Sequence, residues 1–535
     1  MKYSAADLTK RHSELVRKRS ENDGLWQELK ELIRPDTSDF FGGGYNRASF
    51  ANRRIYDGTA PWALEQLAAG LHSYNTSPTD RWFTLGVAGV PTTDLSFQAK
   101  AYLDSVSDRI YAHYGDPFSN FNSSVHENYL DIATFGTSCL YQWYDVATGK
   151  LMFRAFPLAD IWIEEDANGR VVTVHRRLRL SMKQVRGEWS ELPEYLSKKK
   201  DDEDVIIIHA VHSNDEYNPS SRRSEYRAWK SCYFCPDTKE IISESGYDVM
   251  PYHTPRWTKV AGETYGRSPA LTVLPDIRMV NAMSKTMIVA AQKMVDPALQ
   301  VPDDGFLLPL RTNPGGLNYR RPGQEAIIPM PTAQRIDIGI EMIEQRRDTI
   351  RRGFYVDWLV RPTKKERQTA SEIMDDRNQM LSMMGPITGR IQSEFAGVIL
   401  RASFSLLDKH GELPAPPPEL DGAEMEVAYI SPAAKAQATT RGQGMAGFVQ
   451  QMVQLQPIFP EVMDSINVPA WVSEMADITD VPLRVLNSPE QQQEKQAARQ
   501  QQEQAAQAAT MAPQVASAAK DFSVARQNGG IPGLF

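Results

Sequence analysis

The sequence has few cysteines and no long apolar run. Its three cysteines, among 535 residues, cannot form a disulfide framework and are typical of a reducing compartment. No segment approaches the roughly 18 uncharged apolar residues of a membrane span. The N-terminal residues also lack the apolar core of a signal peptide. We therefore expect synthesis in the cytoplasm and no membrane partner.

The motifs of common enzyme classes are absent as well. The phosphate-binding loop of ATP-driven motors, the His-Glu-x-x-His zinc motif and the Gly-x-Ser-x-Gly nucleophile motif do not occur. A literal Gly-x-Gly-x-x-Gly spans 442–447, but a helical Ala/Lys/Gln stretch precedes it, whereas a dinucleotide site follows a strand. We expect no catalytic residue, no cofactor and no metal.

Two other patterns imitate functional sites. Cys232 and Cys235 form a Cys-x-x-Cys, but in a strand pattern this offset puts the thiols on opposite faces, and no second pair completes a zinc site. His209 and His212 lack further ligands for the same reason. The acidic run 164–166 flanks a hairpin turn, where we expect solvated side chains rather than a catalytic carboxylate cluster.

The net charge of −8 bears on DNA binding. A protein that holds DNA tightly usually carries a basic domain or stripe, so overall acidity argues against conventional DNA binding. It does not exclude a protein surface along which DNA moves without binding. A surface with the same charge sign as the phosphates gains little binding free energy from counterion release.

The length of 535 residues predicts roughly three domains or subdomains, and hydrophobic spacing predicts a mixed fold. Apolar residues three or four apart predict the first helices, with Thr59 as an N-cap. From about 139 to 262 the period is two, and Asn168-Gly169 marks a hairpin turn. The helices are expected over 4–34, 60–74, 94–114 and 120–136. The strands are expected over 140–144, 151–156, 161–164, 171–180, 205–211, 226–234 and 239–244.

Two helices flank a proline-rich segment in the centre of the chain. Ser268 caps the first, which Pro275 should kink. The second has an isoleucine stripe that Arg347 interrupts. Between them, residues 297–334 hold seven prolines and four glycines, with possible strands over 306–310 and 326–330. An ordinary helical hairpin with an inserted loop, packed within one chain, is the alternative interpretation.

A basic linker over 355–368 precedes a long helix. Thr369 and Glu372 form a capping box, and the helical pattern runs to about His410, where Gly411 stops it. That is roughly 60 Å of helix, interrupted at Gly385-Pro386. A strand over 425–430 and helices over 433–480 follow. The Gln/Ala-rich stretch 490–510 is a projecting helix, an oligomer contact or disordered.

The order of these parts resembles the portal (head-to-tail connector) family of short-tailed bacteriophages, over about residues 4–430. The later motifs are Thr369-Ala370-Ser371-Glu372 through Arg377, Met384-Gly385-Pro386, Arg390, Glu394, Arg401 and Leu413-Pro414. The earlier ones are Pro78, Arg81-Trp82-Phe83-Thr84-Leu85, Tyr265-Gly266-Arg267-Ser268-Pro269, Leu274-Pro275-Asp276-Ile277 and Asn281. Met384 replaces the more usual Leu before Gly-Pro.

The resemblance implies a predominantly helical α+β portal fold assembled as a dodecameric ring. The implied parts are a wing (1–266, with the long kinked helix and returning strand of 369–432), stem helices (267–296 and 335–353), a clip (297–334), a tunnel loop (354–368), and crown helices with the C-terminal tail (433–535).

The implied function is a non-enzymatic channel in the virion, at a capsid vertex, for packaging and ejecting double-stranded DNA. The implied partners are further copies of the chain, DNA without sequence preference, the terminase motor, a tail adaptor, and the major capsid and scaffolding proteins. The tunnel-loop residues expected to touch phosphates are Arg361, Lys364, Lys365 and Arg367. The stem residues expected at subunit contacts are Val280, Ser284, Met287, Ala291, Ile340 and Ile343. The clip residues expected to dock partners are Phe306, Leu308, Arg311, Arg320 and Arg321.

Two alternatives remain open from the sequence. The chain could be another structural virion component, such as a tail adaptor or an assembly protein, which imaging of a ring would distinguish. A carboxylate-dependent hydrolase would need a buried carboxyl of raised pKa in a cleft. At the level of single features, the basic linker could be a solvated loop, and the stem stripe could pack within one chain.

Overall fold

A computed structural model gives the fold of most of the chain. It describes residues 4–41, 55–90, 95–221, 223–300, 309, 311, 315–319, 322–323, 328–330, 336–359, 385–420, 422, 425–430, 432–455, 467–479, 481, 487, 491–492, 494–495, 497–499 and 501–502. The described chain is a mixture of helices and small antiparallel sheets, as the α+β prediction requires.

Helices form most of the N-terminal part. They are α1 (Ala5–Leu32), α2 (Thr59–Asn75), α3 (Phe97–Gly115) and α4 (Phe121–Phe135). A capping box in which Ser4 and Asp7 satisfy each other's backbone N–H groups starts α1. The prediction that Thr59 caps α2 was wrong: Gly58 is the N-cap, and the Thr59 N–H donates to Asp57 Oδ1 at 2.9 Å.

The predicted strand region forms two antiparallel sheets. Its strands are β2 (Leu140–Asp145), β3 (Lys150–Ala155), β4 (Ile161–Glu165), β5 (Val171–Ser181), β6 (Asp204–Ser213), β7 (Trp229–Cys235), β8 (Glu240–Tyr247) and β9 (Tyr252–His253), which follow β1 (Phe83–Val87). The larger sheet has the order β4-β5-β6-β7-β8 and the smaller one β3-β2-β9. The hairpin turn at Asn168-Gly169 is confirmed, with Gly169 at φ +77°.

The larger sheet is covered on both faces. On one face, Leu8 of α1 packs against Ile208, Cys232 and Phe234. On the other, Cys235 belongs to a cluster with two short helices that the sequence pattern missed, α5 (Met182–Glu188) and α6 (Glu194–Ser197). The prediction that the two thiols lie on opposite faces is therefore confirmed.

Long helices dominate the rest of the chain. They are α7 (Pro269–Val295), α8 (Ile336–Gly353), the short α9 (Val356–Leu359), α10 (Gly397–Lys409), α11 (Pro432–Leu455) and α12 (Val468–Thr479). Ser268 caps α7 as predicted, and the helix continues through Pro275. Gly411, at φ +71°, follows the end of α10 as predicted. The segment 442–447 lies within α11, which confirms that no strand precedes it.

The π-helical turn and one short strand in this part were not predicted. Residues 385–391 are helical and lead into a π-helical turn, Gln392–Ala396, directly before α10. Between α7 and α8, β10 (Leu299–Gln300) pairs with β11 (Ile328–Pro329), inside one of the two possible strands; the other, 306–310, lies mostly outside the described residues. The capping box at Thr369 also lies outside them.

The chain divides into two compact units. One comprises Met1–Trp82 with Ile110–Leu413, and the other comprises Phe83–Arg109 with Pro414–Phe535. In the second unit, β1 pairs with β12 (Met425–Tyr429) in antiparallel register, and Gly442 of α11 packs closely against Ile478 of α12. None of the helices in the described ranges is long and apolar enough to span a membrane.

Two glycines allow two backbone segments to cross in close contact just before α7 begins. Gly136, the C-cap of α4, has φ +82°, and a Cβ placed there would overlap the carbonyl group of Gly266. A Cβ at Gly266 would in turn overlap the carbonyl oxygen of Gly136. The crossing is fastened by the Trp257 N–H donating to Gly136 O at 2.8 Å and the Gly266 N–H donating to Thr137 Oγ1 at 2.8 Å.

Gly136→Ala should therefore destabilise the fold by about 2–4 kcal/mol, because a left-handed backbone and a backbone overlap act together. Gly24→Ala is the matched control, since Gly24 lies within α1 and a Cβ there meets nothing within 4 Å. That control should be neutral or stabilising. Denaturant unfolding of both variants measures the difference, and equal midpoints would contradict the crossing.

Candidate functional site

The predicted stem helices, α7 and α8, pack against each other as an antiparallel pair. Near the ends that face the rest of the unit, Gly353 lies directly against the Val273 side chain, where a Cβ would overlap it. Further along the pair, a Cβ at Gly339 would lie 3.0 Å from Met287 Sδ. Glycine at both positions lets the helices approach closely. Met287 therefore meets α8 of its own chain.

The six residues predicted for subunit contacts fall into two groups. Val280, Ser284 and Ile343 are buried within the chain, and Met287 is partly buried. Ala291 and Ile340 are exposed, Ile340 to 53%. Spacing alone predicted the stripe but could not separate the side that faces α8 from the side that faces away. Their role between subunits stays a prediction.

Further apolar residues on the same two helices are exposed and were missed. On α7, several of these residues lie toward the C-terminal end, where Val295 is 87% exposed. The exposed set on the two helices also includes Met279, Ile288, Val289, Met294 and Met342. The signal was present in the sequence as an apolar pattern broader than one helix face, which a hairpin buried within one chain does not need.

A short strap, residues 55–58, lies against both stem helices. The Tyr56 N–H donates to Asn281 Oδ1 of α7 at 2.7 Å. The Asp57 carboxylate, 5% exposed, accepts two hydrogen bonds from the Arg347 guanidinium of α8 at 2.7 and 3.0 Å, and Ser284 Oγ lies 3.4 Å away. Arg347, which interrupts the apolar stripe of α8, is thus the partner of a buried acid.

The strap keeps Asp57 charged. Burial acts to raise the pKa of Asp57, but hydrogen bonds from Thr59 and the Arg347 ion pair outweigh it, so that the pKa lies below the ordinary value of 3.8. The same pair raises the pKa of Arg347. A carboxyl whose pKa is lowered by folding stabilises the fold at pH values above its unfolded pKa. This stabilisation is lost as the pH falls through the lowered pKa of the folded state.

A buried guanidinium joins two other segments of the same unit. Arg256, 3% exposed, donates from its backbone N–H, Nε and Nη2 to the Glu394 carboxylate, each at 3.1 Å. It also donates to Glu165 Oε2 at 2.8 Å and to Gly169 O at 2.8 Å. Arg390 adds a second cation to Glu394 at 3.0 Å. The π-helical turn is thereby tied to the β4–β5 hairpin.

The acidic run 164–166 is therefore not the solvated cluster expected. Glu164 pairs with Arg11 at 2.9 Å, and Glu165 pairs with Lys259 at 2.6 Å as well as with Arg256. Burial acts to raise the pKa of Glu165, but its hydrogen bonds from Lys259 and Arg256 lower it overall. Asp166 accepts the backbone N–H groups of the hairpin turn. The correction follows from distant cations that local sequence does not show.

The buried histidines serve packing. His209 Nδ1 lies 2.6 Å from the Tyr252 hydroxyl and Nε2 lies 2.9 Å from Ser231 Oγ, while burial holds the pKa of His209 well below its ordinary value. His212 is likewise buried, with a lowered pKa. Within the described ranges, no group of three or more acidic, histidine or cysteine side chains is arranged to hold a metal ion.

Most predicted tunnel-loop and clip residues lie outside the described residues. This holds for Arg361, Lys364, Lys365, Arg367, Phe306, Leu308, Arg320 and Arg321. Arg311 is exposed, and its backbone N–H and carbonyl group pair with the Asn318 side chain at 2.7 and 2.9 Å. The start of the predicted tunnel loop contains the short helix α9, which the sequence did not predict.

Comparison with known proteins identifies the family. Residues 5–486 match the model of the family described as bacteriophage head to tail connecting protein. This chain belongs to that family. The resemblance predicted from the ordered motifs is thus confirmed for the portal (head-to-tail connector) family, and the connector is a structural component of a phage virion.

Two relatives of the connector support this over nearly its whole length. It is 28% identical over 474 residues to the "Probable portal protein" of Bordetella phage BPP-1, covering 85% of this chain and 84% of the relative. It is 25% identical over 534 residues to the "Portal protein" of Salmonella phage epsilon15, covering 96% and 95%. A chain in a virion of a native gene transfer agent particle matches with a TM-score of 0.36 and 11% identity over 76% of this chain and 89% of that one.

Asp57→Asn should lower the free energy of unfolding by about 1–3 kcal/mol, because it removes the charge from a buried, charge-assisted hydrogen bond. Asp276→Asn is the matched control, since Asp276 pairs with the adjacent Arg346 at 3.0 Å in a more exposed position. The control should cost under about 1 kcal/mol. Denaturant unfolding at neutral pH measures both. Equal losses would mean that the strap adds nothing beyond a surface ion pair.

Proposed function

We propose that the connector forms a ring of twelve copies at a capsid vertex, through which double-stranded DNA enters during packaging and leaves during ejection. The proposal is carried by the exposed apolar residues on a stem pair that is otherwise closed within its own chain. A lone chain would leave that surface in water, whereas neighbouring copies side by side would bury it. Membership of the portal family supports the same arrangement.

In this ring, the residues of the stem stripe have two roles. Val280 and Ser284 of α7 and Ile343 of α8 pack within their own chain. Ala291 and Ile340, together with the exposed Ile288, contact the neighbouring copy. Small and apolar side chains at the contact allow close helix packing. The closed symmetry of a ring then gives every copy the same pair of contacts.

The tunnel loop supplies the DNA contact. Arg361, Lys364, Lys365 and Arg367, repeated around the ring, touch phosphates without reading bases. The net charge of −8 keeps most of the protein surface from competing for these phosphates. DNA therefore meets a narrow basic zone in an otherwise non-adhesive channel, and it can move.

The clip, 297–334, docks the terminase motor during filling and the tail adaptor afterwards. Its prolines lower the entropy lost on ordering a docking surface. Its described residues include Leu317 and Tyr319, 69% and 67% exposed, which suit partner contacts. The wing and crown, in turn, face the major capsid and scaffolding proteins.

Among the described residues, Asp131 is a candidate for the hydrolase alternative. Burial raises the pKa of Asp131 to about 6, as a general acid would need. Its buried carboxylate, however, accepts a hydrogen bond at 2.6 Å from Arg34, which follows the end of α1. A carboxyl held by its own arginine is a structural ion pair, and the family name describes a connector. A tail adaptor or assembly protein is less favoured, because both relatives are named as portal proteins.

The subunit contact can be tested on the exposed stem surface. Ile288→Asp or Ala291→Trp should weaken assembly by at least about tenfold, since each places a charge or excess bulk in an apolar contact. Val146→Asp is the control, because Val146 is exposed on a hairpin turn away from the stem helices. Sedimentation and electron microscopy measure the fraction of rings. Normal rings in both stem variants would remove these positions from the contact.

The DNA contact can be tested by Lys364→Gln combined with Lys365→Gln. The ring should assemble normally, whereas the amount of DNA packaged or retained per particle should change, because two phosphate-pairing cations per copy are lost. Lys198→Gln with Lys199→Gln is the matched control on an exposed surface segment. Unchanged packaging in the tunnel-loop variant would leave the loop as an ordinary solvated segment.

A further inference from the structure

A pair of histidines lies between α1 and the larger sheet. His12 of α1 and His175 of β5 approach with their Nδ1 atoms 3.3 Å apart, and the two rings are nearly parallel, at 15°. His175 is fully buried. His12 is partly buried, and its ring lies edge-on to Trp162 of β4 at 4.8 Å between ring centroids. The contact between α1 and the sheet therefore includes two imidazoles whose nitrogens face each other.

This contact suits rings that carry no charge. A neutral imidazole donates through one ring nitrogen and accepts through the other, so one Nδ1–H can donate to the facing Nδ1. Protonation of both rings would set an N–H against an N–H and break that hydrogen bond. At His175 a further proton has a second cost, because its buried Nε2 has no hydrogen-bond partner among the described residues.

The charged groups around the pair do not compensate an added proton. Three arginines face it, and each already has a carboxylate of its own. The ion pairs are Arg11 with Glu164 at 2.9 Å, Arg19 with Asp23 at 3.0 Å, and Arg177 with Asp160 at 2.7 Å. Further titratable groups near the pair, on α1 and from β6 to β8, are Lys18, His209, His212, Asp215, Lys230 and Glu244. A proton on either ring is thus added beside cations whose acids are in use.

These surroundings disfavour the charged form of both rings. Burial, and then the charges of Arg19 and Arg177, lower the pKa of His12 from 6.5 to about 4. Burial, followed by His12 and Arg11, lowers the pKa of His175 well below its ordinary value. A histidine whose pKa is lowered by folding stabilises the fold at pH values above its unfolded pKa. This stabilisation is lost as the pH falls from the unfolded pKa toward the lowered one.

The second half of α1 is held by groups that keep their protons in mild acid. Arg19 donates from Nη1 to three backbone carbonyl groups between 158 and 161, at 2.9 to 3.0 Å. Trp26 Nε1 donates to Phe135 O at 3.1 Å. Guanidinium and indole N–H groups do not titrate near neutral pH, so acid weakens only the contact made by the first half of the helix.

That first half covers a defined part of the sheet. Leu8 packs against Ile208, Cys232 and Phe234, and the Phe234 ring lies 6.2 Å from the His175 ring. Cys235 lies on the opposite face, under α5 and α6. Departure of the first half of α1 would therefore uncover one thiol of the sheet and leave the other covered.

We propose that His12 and His175 form an acid-sensitive latch, in which protonation detaches residues 5–18 of α1 from the sheet and exposes the sheet face beneath Leu8. The rest of the unit stays folded, because the second half of α1 and the opposite face of the sheet are held by other contacts. The latch is independent of the ring and DNA contacts proposed above.

The test is modification of the three cysteines by dithiodipyridine, an aromatic disulfide that reacts in acid, with each site identified by mass spectrometry. Dividing each rate by the rate in the urea-unfolded chain at the same pH gives the open fraction of that site. For Cys232 this fraction should rise roughly 20-fold from pH 7 to pH 5 through His12 alone, and further through His175. The buried Cys139 and Cys235 should stay protected over the same range.

His12→Gln removes one titrating ring and should reduce the rise at Cys232 by roughly 20-fold, because one proton fewer is taken up on opening. His126→Gln is the matched control. His126 is a partly exposed histidine of α4, with Nε2 3.7 Å from Glu65, and its loss should leave the rise unchanged.

An open fraction of Cys232 that does not depend on pH overturns the latch. Equal opening of all three thiols with one common pH dependence also overturns it, since that result reports unfolding of the whole unit. An unchanged rise in His12→Gln assigns the acid sensitivity to other groups and overturns the role of the pair. The first two outcomes are measured on the unaltered chain, so the test stays decisive should His12→Gln not fold.

Discussion

The burial of the Arg256 guanidinium constrains much of the larger unit. A cation taken out of water is costly unless its donors are matched by acceptors, and here they come from Glu394, Glu165 and backbone carbonyl groups. Those acceptors lie on a hairpin and on a helix far apart in the chain. The hairpin and the π-helical turn must therefore form together, since either one alone would leave the buried arginine without one of its carboxylate partners.

The stem follows a similar rule on a smaller scale. In the sequence, Arg347 interrupts an apolar stripe. In the structure, its guanidinium pairs with the buried carboxylate of Asp57, which compensates its positive charge. Because Ser284 faces the same carboxylate, the strap contacts both helices at once. Polar groups thus fix the alignment of the two helices on one side, while the opposite side is left apolar and available. Specific alignment and a free surface are both needed for identical copies to pack as a ring.

Sequence patterns predicted what is local. The Ser268 cap, the Asn168-Gly169 turn and the stop at Gly411 depend on a few neighbouring residues, and each was found. The ion pairs of Glu164 and Glu165 were missed because their cations are distant in sequence. The pairing of Phe83–Val87 with Met425–Tyr429 was missed for the same reason. Which half of the stem stripe faces inward depended on where the partner helix lies, and spacing does not contain that information.

The family itself was recognised because the order of local motifs survives where identity is low. Glu394 shows why such a motif can be informative before its role is known. In sequence it is one acid in a long helical pattern, and in the structure it is the residue by which that helix meets a buried arginine. Exchanging it for another helix-forming residue would keep the helical propensity and lose the contact. A local preference therefore explains the helix, whereas only the distant arginine explains why this position carries a carboxylate.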